Sequence, residues 1–171
     1  MQFPYKTLAP LLPRRYNFGK RRDTLREALR LLGERDAETL LNTSSDVDST
    51  LVFGVWAKQN NGHLYSVDMD PSATERAGET VSEMDLSENV TLVTSDSVAY
   101  LDDFTDTVDF LYLDNTAGQD HHLKEIEALE GCLHDDTVIL INDYDKLVIE
   151  GLTAQGWKVH MSESQVILLN E

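Results

Sequence analysis

The chain predicts an α/β fold, in which a mostly parallel sheet is covered by helices on both faces and closed by an antiparallel strand pair. Two observations predict it. Between residues 39 and 154, short β-rich apolar runs alternate with segments whose apolar residues recur at helical spacing, the rhythm of strands joined by crossover helices. After that the rhythm breaks. The runs over 157–161 and 165–169 are separated only by Ser162, Glu163 and Ser164, too short a link for a parallel crossover, so these two strands pair antiparallel. With 171 residues and 41% hydrophobic side chains, the chain has material for one domain with a substantial core.

Each element has its own signal. Residues 1–19 interleave Pro4, Pro10 and Pro13 with Phe3, Tyr5, Tyr16 and Phe18, which suits an extended arm that packs its aromatics. Leu25, Ala28, Leu29 and Leu32 predict a helix over 21–32, with Gly33 as its stop. A strand over 39–43 leads into the polar turn Ser44, Ser45, Asp46. Asp48 or Ser49 then caps a helix carrying Leu51, Val52, Val55 and Trp56, which ends at Asn60, Asn61 and Gly62. A strand over 63–69 precedes a helix opened by Pro71 and lined by Ala73, Ala77, Val81 and Met84. Next come a strand over 90–95, a short helix over 97–101 and a strand over 108–114. A helix over 120–132 turns Leu123, Ile126, Leu129 and Leu133 inward, a fifth strand covers 137–144, and a last helix covers 146–154.

The chain is one domain over 1–171, divided into a basic arm and helix over 1–35 and a core over 36–171. Its 31 acidic and 14 basic residues give a net charge of −17, which disfavours bulk nucleic-acid binding. The charges are segregated. Lys6, Arg14, Arg15, Lys20, Arg21, Arg22, Arg26, Arg30 and Arg35 stand against Asp23, Glu27 and Glu34 in the first 35 residues, so 9 minus 3 leaves +6 there and −23 in the remainder. Such a segment suits an arm laid on an acidic body, of its own or of a second copy of the chain, which makes a homo-oligomer built through the arm an expectation. A solvated face, an anionic partner and a salt-adapted source are the alternatives. Cys132 is the only cysteine, so neither an intrachain disulfide nor a cysteine-based zinc cage can form. No run approaches the roughly 18 to 20 apolar residues of a membrane span, and the first residues lack a secretory pattern; the expected location is the cytoplasm.

Ligands of open α/β sheets bind beyond the carboxyl ends of the strands, and here those ends are polar. Strand one ends in Asn42, Thr43, Ser44, Ser45 and Asp46, strand two in Asp68, Met69 and Asp70, and strand three in Ser95, Asp96 and Ser97. Strand four ends in Asp114 and Asn115, strand five in Asn142, Asp143, Tyr144 and Asp145. A carboxylate ending the second strand can accept both vicinal hydroxyls of a ribose bound at the first turn, the role that fits Asp68. Thr43, Ser44 and Ser45 offer small hydrogen-bonding side chains at that turn. Asp96, flanked by serines, can accept from the exocyclic amine of adenine. Asp68, Asp70, Asp96 and Ser97 also stand where helix caps stand, and that reading remains beside the first.

With these residues in view, the stretch from Glu38 to Asp145 resembles class I S-adenosylmethionine-dependent methyltransferases, in particular their small O-methyltransferase-like branch. That branch's first motif reads E-T-G-T-S-S-G-x-S-T. Leu40, Leu41, Asn42, Thr43, Ser44, Ser45 and Asp46 take its place here, followed by Ser49 and Thr50. HLYSVDMDPSATERA is similar to the second motif, VTLVTSDSVAYL to the adenine-side motif, and VDFLYLD and VILINDY to those of the fourth and fifth strands. The departures are Leu40 at an acidic position and Asn42 and Asp46 at two glycines. Asparagine and aspartate tolerate positive φ but add bulk and, at Asp46, charge.

The resemblance implies a Rossmann-like three-layer sandwich, a seven-stranded sheet in the order 3-2-1-4-5-7-6. It implies S-adenosylmethionine held by Asn42, Thr43, Ser44, Ser45, Asp68, Met69, Ser95, Asp96, Ser97 and Asp114. The implied activity is methyl transfer to a small-molecule acceptor, at oxygen, with Asp114, His121 and Asp143 as catalytic groups. His121 and His122 also read as exposed residues of a helix start, Asp143 as a helix cap, and Tyr144 as packing or lining. A divalent metal is the less favoured addition, and no metal ligands are assigned. The alternative function is a non-catalytic or altered-activity binding and assembly module, favoured by the substituted glycines. A nicotinamide oxidoreductase is disfavoured because no G-x-G-x-x-G occurs.

Overall fold

The computed structural model describes residues 19–114, 118–142 and 146–170. The proline- and aromatic-rich arm over 1–18, Asn115, and Asp143, Tyr144 and Asp145 lie outside the described residues. A 3-10 turn, Gly19–Arg21, leads into α1, Arg22–Glu34. Then follow β1, Thr39–Asn42; α2, Val47–Asn60; β2, His63–Asp68; α3, Pro71–Glu83; β3, Val90–Thr94; and α4, Ser97–Asp102. The second half holds β4, Val108–Leu113; α5, Gln119–Ala128; β5, Leu133–Asn142; α6, Lys146–Ala154; β6, Trp157–Ser162; and β7, Gln165–Asn170.

The sheet has seven strands in the order β3-β2-β1-β4-β5-β7-β6. The first five are parallel, and β7 pairs antiparallel with both β5 and β6, as the three-residue link requires. Alternation along the strands divides the core in two. Leu40, Leu64, Phe110, Tyr112, Leu140 and Ile167 face α1, α2 and the end of α3, whereas Leu41, Leu111, Ile139, Ile141 and Leu168 face α4, α5 and α6. The result is the expected three-layer sandwich.

At the centre of the first face α2 is buried from Ser49 to Ala57 and has no solvent face. Phe53 sits with its ring 4.8 Å from Phe110 and 5.4 Å from Tyr112. A Cβ on Gly54 would meet Val90 Cγ2 at 2.8 Å, so the absence of a side chain lets α2 approach the β3 end of the sheet. Asn61, at φ 58°, ends the helix in the left-handed conformation.

Three boundaries differ from the sequence expectation. Gly33 lies inside α1, and the stop comes from Asp36 at φ 52°, an aspartate in the left-handed region. The cap of α2 is Asp46, whose carboxylate accepts from the amides of Asp48 and Ser49, both at 3.0 Å; the two expected caps are the donors it satisfies. The fifth helix stops at Ala128, and β5 begins at Leu133, four residues early. Thr137 makes this extension: its hydroxyl donates to Val108 O at 2.7 Å and accepts from His134 N at 2.9 Å, where the β4–β5 register shifts.

The basic helix satisfies much of its charge locally. Arg30 pairs with Glu27 and Glu34 on its own helix, and Arg35 reaches Asp136 at 3.6 Å. Among the described residues no helix is long and apolar enough to cross a membrane.

Candidate active site

The carboxyl ends of the parallel strands form a single rim, and the sequence-expected residues gather there in two groups. At the β2–β3 end, Asp68 closes β2 and is held by backbone: its Oδ2 accepts from Ser45 N and its Oδ1 from Asp70 N, each at 2.9 Å. Each oxygen keeps a lone pair for a further donor. Ser45 Oγ lies 3.1 Å from Ser66 Oγ, which donates to Ser44 O, so the β1 turn is tied to β2 beneath that carboxylate. Met69 follows as the most exposed large apolar side chain described, at 73%. Ser95 N donates to Asp68 O at 3.0 Å, bringing the β3 turn alongside.

Asp96 caps α4 through Ala99 N at 3.0 Å with one carboxylate oxygen, the local role a cap reading expects. Asp70 likewise caps α3. Ser97 turns inward instead: its hydroxyl donates to buried Glu125 and lies 2.8 Å from His121 Nε2. His121 therefore belongs to the α4–α5 junction, beside the second core face, and His122 is buried with it.

The second group lies at the ends of β1, β4, β5 and β7, on the face covered by α1 and α2. Asn42 Nδ2 donates to Ser49 Oγ at 3.0 Å, and Ser44 N donates to Asn42 Oδ1 at 3.2 Å. Thr43 N donates to Tyr112 O at 3.0 Å, fixing the β1 turn to β4. Asp46 accepts from the Ser49 hydroxyl, so the residue standing at a glycine position caps α2, and its charge acts on Asp114 at the end of β4. Asp114 also accepts from Asn142 Nδ2. Tyr112, two residues back and on the same face, accepts from Gln165 Nε2 at 3.0 Å through its hydroxyl.

Burial, and next the Asp46 carboxylate, push Asp114 up to about 7, offset in part by Arg21 and by the Asn142 amide. Burial and Asp114 raise the Tyr112 hydroxyl above its ordinary value. Arg21 comes from the turn before α1, whose Lys20 O accepts from Ser164 Oγ at 2.8 Å. Ser164 adjoins Gln165, which pairs with Asn142, and this register brings the basic segment to the rim. Gln165 is fully buried, and its Oε1 has no hydrogen-bond partner.

Arg21, Tyr112, Gln165 and Glu125 join the rim from positions that no strand-end or motif signal marks. The signal available was a polar residue at the first position of an otherwise apolar strand, Gln165, and the two-residue spacing of Tyr112 and Asp114. Among the described residues no cluster of His, Cys, Asp and Glu can hold a metal ion.

The donor and acceptor chemistry fits S-adenosylmethionine. Asp68 suits a vicinal diol and Asp96 a base amine. The orphaned Gln165 Oε1 is an acceptor for an ammonium, and Arg21 is a counterpart for a carboxylate.

Comparison with known proteins agrees. A family model described as a methyltransferase domain matches residues 48–144, more than half of the chain. No curated protein sequence matches. Among solved structures, a Staphylococcus aureus protein provisionally named a caffeoyl-CoA O-methyltransferase superposes with a TM-score of 0.71 at 12% identity, covering 99% of this chain and 90% of that one. An S-adenosylhomocysteine-bound methyltransferase from Podospora anserina gives 0.68 at 11% identity, over 85% of this chain and 77% of that one. An rRNA methylase from Streptococcus thermophilus gives 0.64 at 14% identity, over 85% and 95%. These likenesses establish a common fold, and with the family match over residues 48–144 the chain belongs to the class I S-adenosylmethionine-dependent methyltransferases.

Proposed function

We propose that the chain methylates an oxygen of a small-molecule acceptor, with residues 36–171 as the catalytic core in the cytoplasm and residues 1–35 completing the acceptor side. The observation that carries this reading is Asp114: a buried carboxyl at the end of β4, held up to about 7, is poised to take a proton from a hydroxyl near neutral pH. The bound cofactor supplies an electrophilic methyl group on its sulfonium. Asp68 accepts from the ribose hydroxyls, using the lone pairs that Ser45 N and Asp70 N leave free. Met69 covers the base, and Asp96 accepts from its amine while Ser95 and Ser97 border it. Asn42, Thr43 and Ser44 shape the turn beneath the methionine portion.

Asp114 is the proton acceptor. His121, hydrogen-bonded to Ser97, steadies the α4–α5 junction against the adenine side, and Asp143, next in sequence to the Asp114 partner Asn142, is the further catalytic group. A nucleic-acid acceptor such as the one named for the Streptococcus thermophilus relative is disfavoured by charge, since −23 resides in the 136 residues after the first 35. Incubation of the protein with S-adenosylmethionine and a panel of phenols and hydroxy acids, with S-adenosylhomocysteine read by mass spectrometry, tests this. Turnover on a hydroxylated compound and none on RNA is the expected result. Turnover on RNA alone overturns the acceptor class.

A further inference from the structure

The second core face is closed over the middle of the sheet, where Leu41, Leu111 and Ile139 are fully buried, and left open at its β2–β3 edge. The helix available there, α4, has only six residues, and the chain then crosses to β4 by the loop over 103–107. Tyr65 on β2 and Val93 on β3 stay half-buried, and beside them lies a cavity of about 500 Å³, a size in the roughly 300–1,000 Å³ range of small-molecule sites. Its lining combines two chemistries. Three rings meet in it: the Tyr65 and Phe104 centroids are 5.3 Å apart at 77°, and Tyr100 stands 6.1 Å from Phe104. The loop adds the exposed carboxylates of Asp103 and Asp106, and among the described residues lining the cavity none is basic. His63, 4.7 Å from Tyr65, continues the row of rings; burial holds its imidazole below its ordinary value, so it brings no positive charge near neutral pH.

We propose that this cavity binds an organic cation, a quaternary or alkylated ammonium, on the rings of Tyr65, Tyr100 and Phe104, with Asp103 and Asp106 as its counter-charges. The face of an aromatic ring is the negative end of its quadrupole, and a cation against it gains contact and electrostatic attraction together. The lining selects this class. A bare metal ion makes no use of the rings, and a neutral aromatic leaves the two carboxylates without a counterpart. An alkylated ammonium is apolar at its surface and charged at its centre, so it uses both. Burial, then Tyr65 and Asp106, raise the Tyr100 hydroxyl above its ordinary value, the direction expected where carboxylate charge reaches the rings. The site is separate from the cofactor rim, since of the residues assigned to the cofactor only Ser95 also lines the cavity. Its occupancy is therefore independent of the methyl acceptor.

Choline and its neutral isostere 3,3-dimethylbutan-1-ol, titrated at constant ionic strength into the full chain and followed by assigned amide NMR shifts, test this without any turnover. Choline is expected to give saturable shifts centred on Tyr65, Val93 and residues 99–106, and to bind at least about fivefold more tightly than the isostere. Tyr100→Leu keeps an apolar side chain and removes the ring face; it is expected to weaken choline about fivefold and the isostere less. Asp103→Asn combined with Asp106→Asn is expected to weaken choline about threefold, the scale of exposed charge pairs, and to leave the isostere unchanged. Amide spectra that match the wild type away from the cavity establish that the variants are folded. Equal affinity for choline and the isostere, shifts scattered over the acidic surface, or choline binding unchanged in both variants overturns the proposal. Displacement of choline by S-adenosylhomocysteine overturns it as well, because the cavity would then belong to the cofactor site.

Discussion

The two halves of the rim hold their carboxylates in opposite ways. At the β2–β3 end, Asp68 and Asp96 are anchored by backbone amides a few residues away or on the adjoining turn. At the β1–β4–β5–β7 end, Asp114 is half-buried, accepts from the Asn142 amide, and feels the charges of Asp46 and Arg21, with the Tyr112–Gln165 hydrogen bond on the same face. The first arrangement holds its acids preorganised at the surface, as recognition of neutral hydroxyls and amines requires. The second makes an acid's protonation state depend on what lies beside it, as a site that handles charge and protons requires.

Substitutions sharpen this contrast, and the largest effect is expected on the adenosine side. Asp68→Ala removes the acceptor for both ribose hydroxyls, and calorimetric affinity for S-adenosylhomocysteine is expected to fall at least about 100-fold. The same change frees Ser45 N and Asp70 N, at a cost of about 1 kcal/mol in denaturant stability. Asp114→Asn is expected to lower kcat about 100-fold or more while changing cofactor affinity far less, a split that steady-state kinetics resolves. Equal losses in both would place Asp114 in binding alone.

The proton economy of the second half also shows in stability. Asp114 binds its proton more tightly in the folded chain than in the unfolded one, so between about pH 4 and about pH 7 the folded state holds more protons and its stability falls as pH rises. Thermal unfolding is expected to show this decline in the wild type, and Asp114→Asn is expected to flatten it; identical profiles would refute the raised carboxyl. Tyr112→Phe leaves Gln165 Nε2 without its acceptor inside the core, at a cost of about 1–2 kcal/mol in denaturant unfolding. The smallest effect belongs to Met69→Ala. At 73% exposure the side chain contributes within about 0.5 kcal/mol to stability, and its loss is expected to weaken binding of the adenine ring only a few-fold.

What was legible in the sequence divides along the same line. The two antiparallel closing strands and the rim positions of Asp68, Ser95, Asp96 and Asp114 follow from local signals, period-two and helical patterns and polar residues that end apolar runs, whereas the sheet order follows from the family resemblance. Even the errors were local. Asp46 was passed over as a cap because Asp48 and Ser49 are equally good cap types, and only the direction of the hydrogen bonds distinguishes acceptor from donors. The early start of β5 hangs on one hydroxyl, Thr137, bridging two strands. The second half of the rim is legible only in part: Asp46, Asp114 and Asn142 end apolar runs, but Arg21, Tyr112 and Gln165 do not, and no pattern in a single segment reports that a glutamine at the start of β7 donates to a tyrosine on β4.

The central claim is that one rim holds an adenosyl group at Asp68 and turns its sulfur toward Asp114. A crystal structure of the protein with S-adenosylhomocysteine tests it most directly. The account predicts the ribose hydroxyls on the Asp68 carboxylate and the thioether sulfur facing the Asp114 carboxyl. The ligand bound elsewhere, or seated with its ribose away from Asp68, would contradict it.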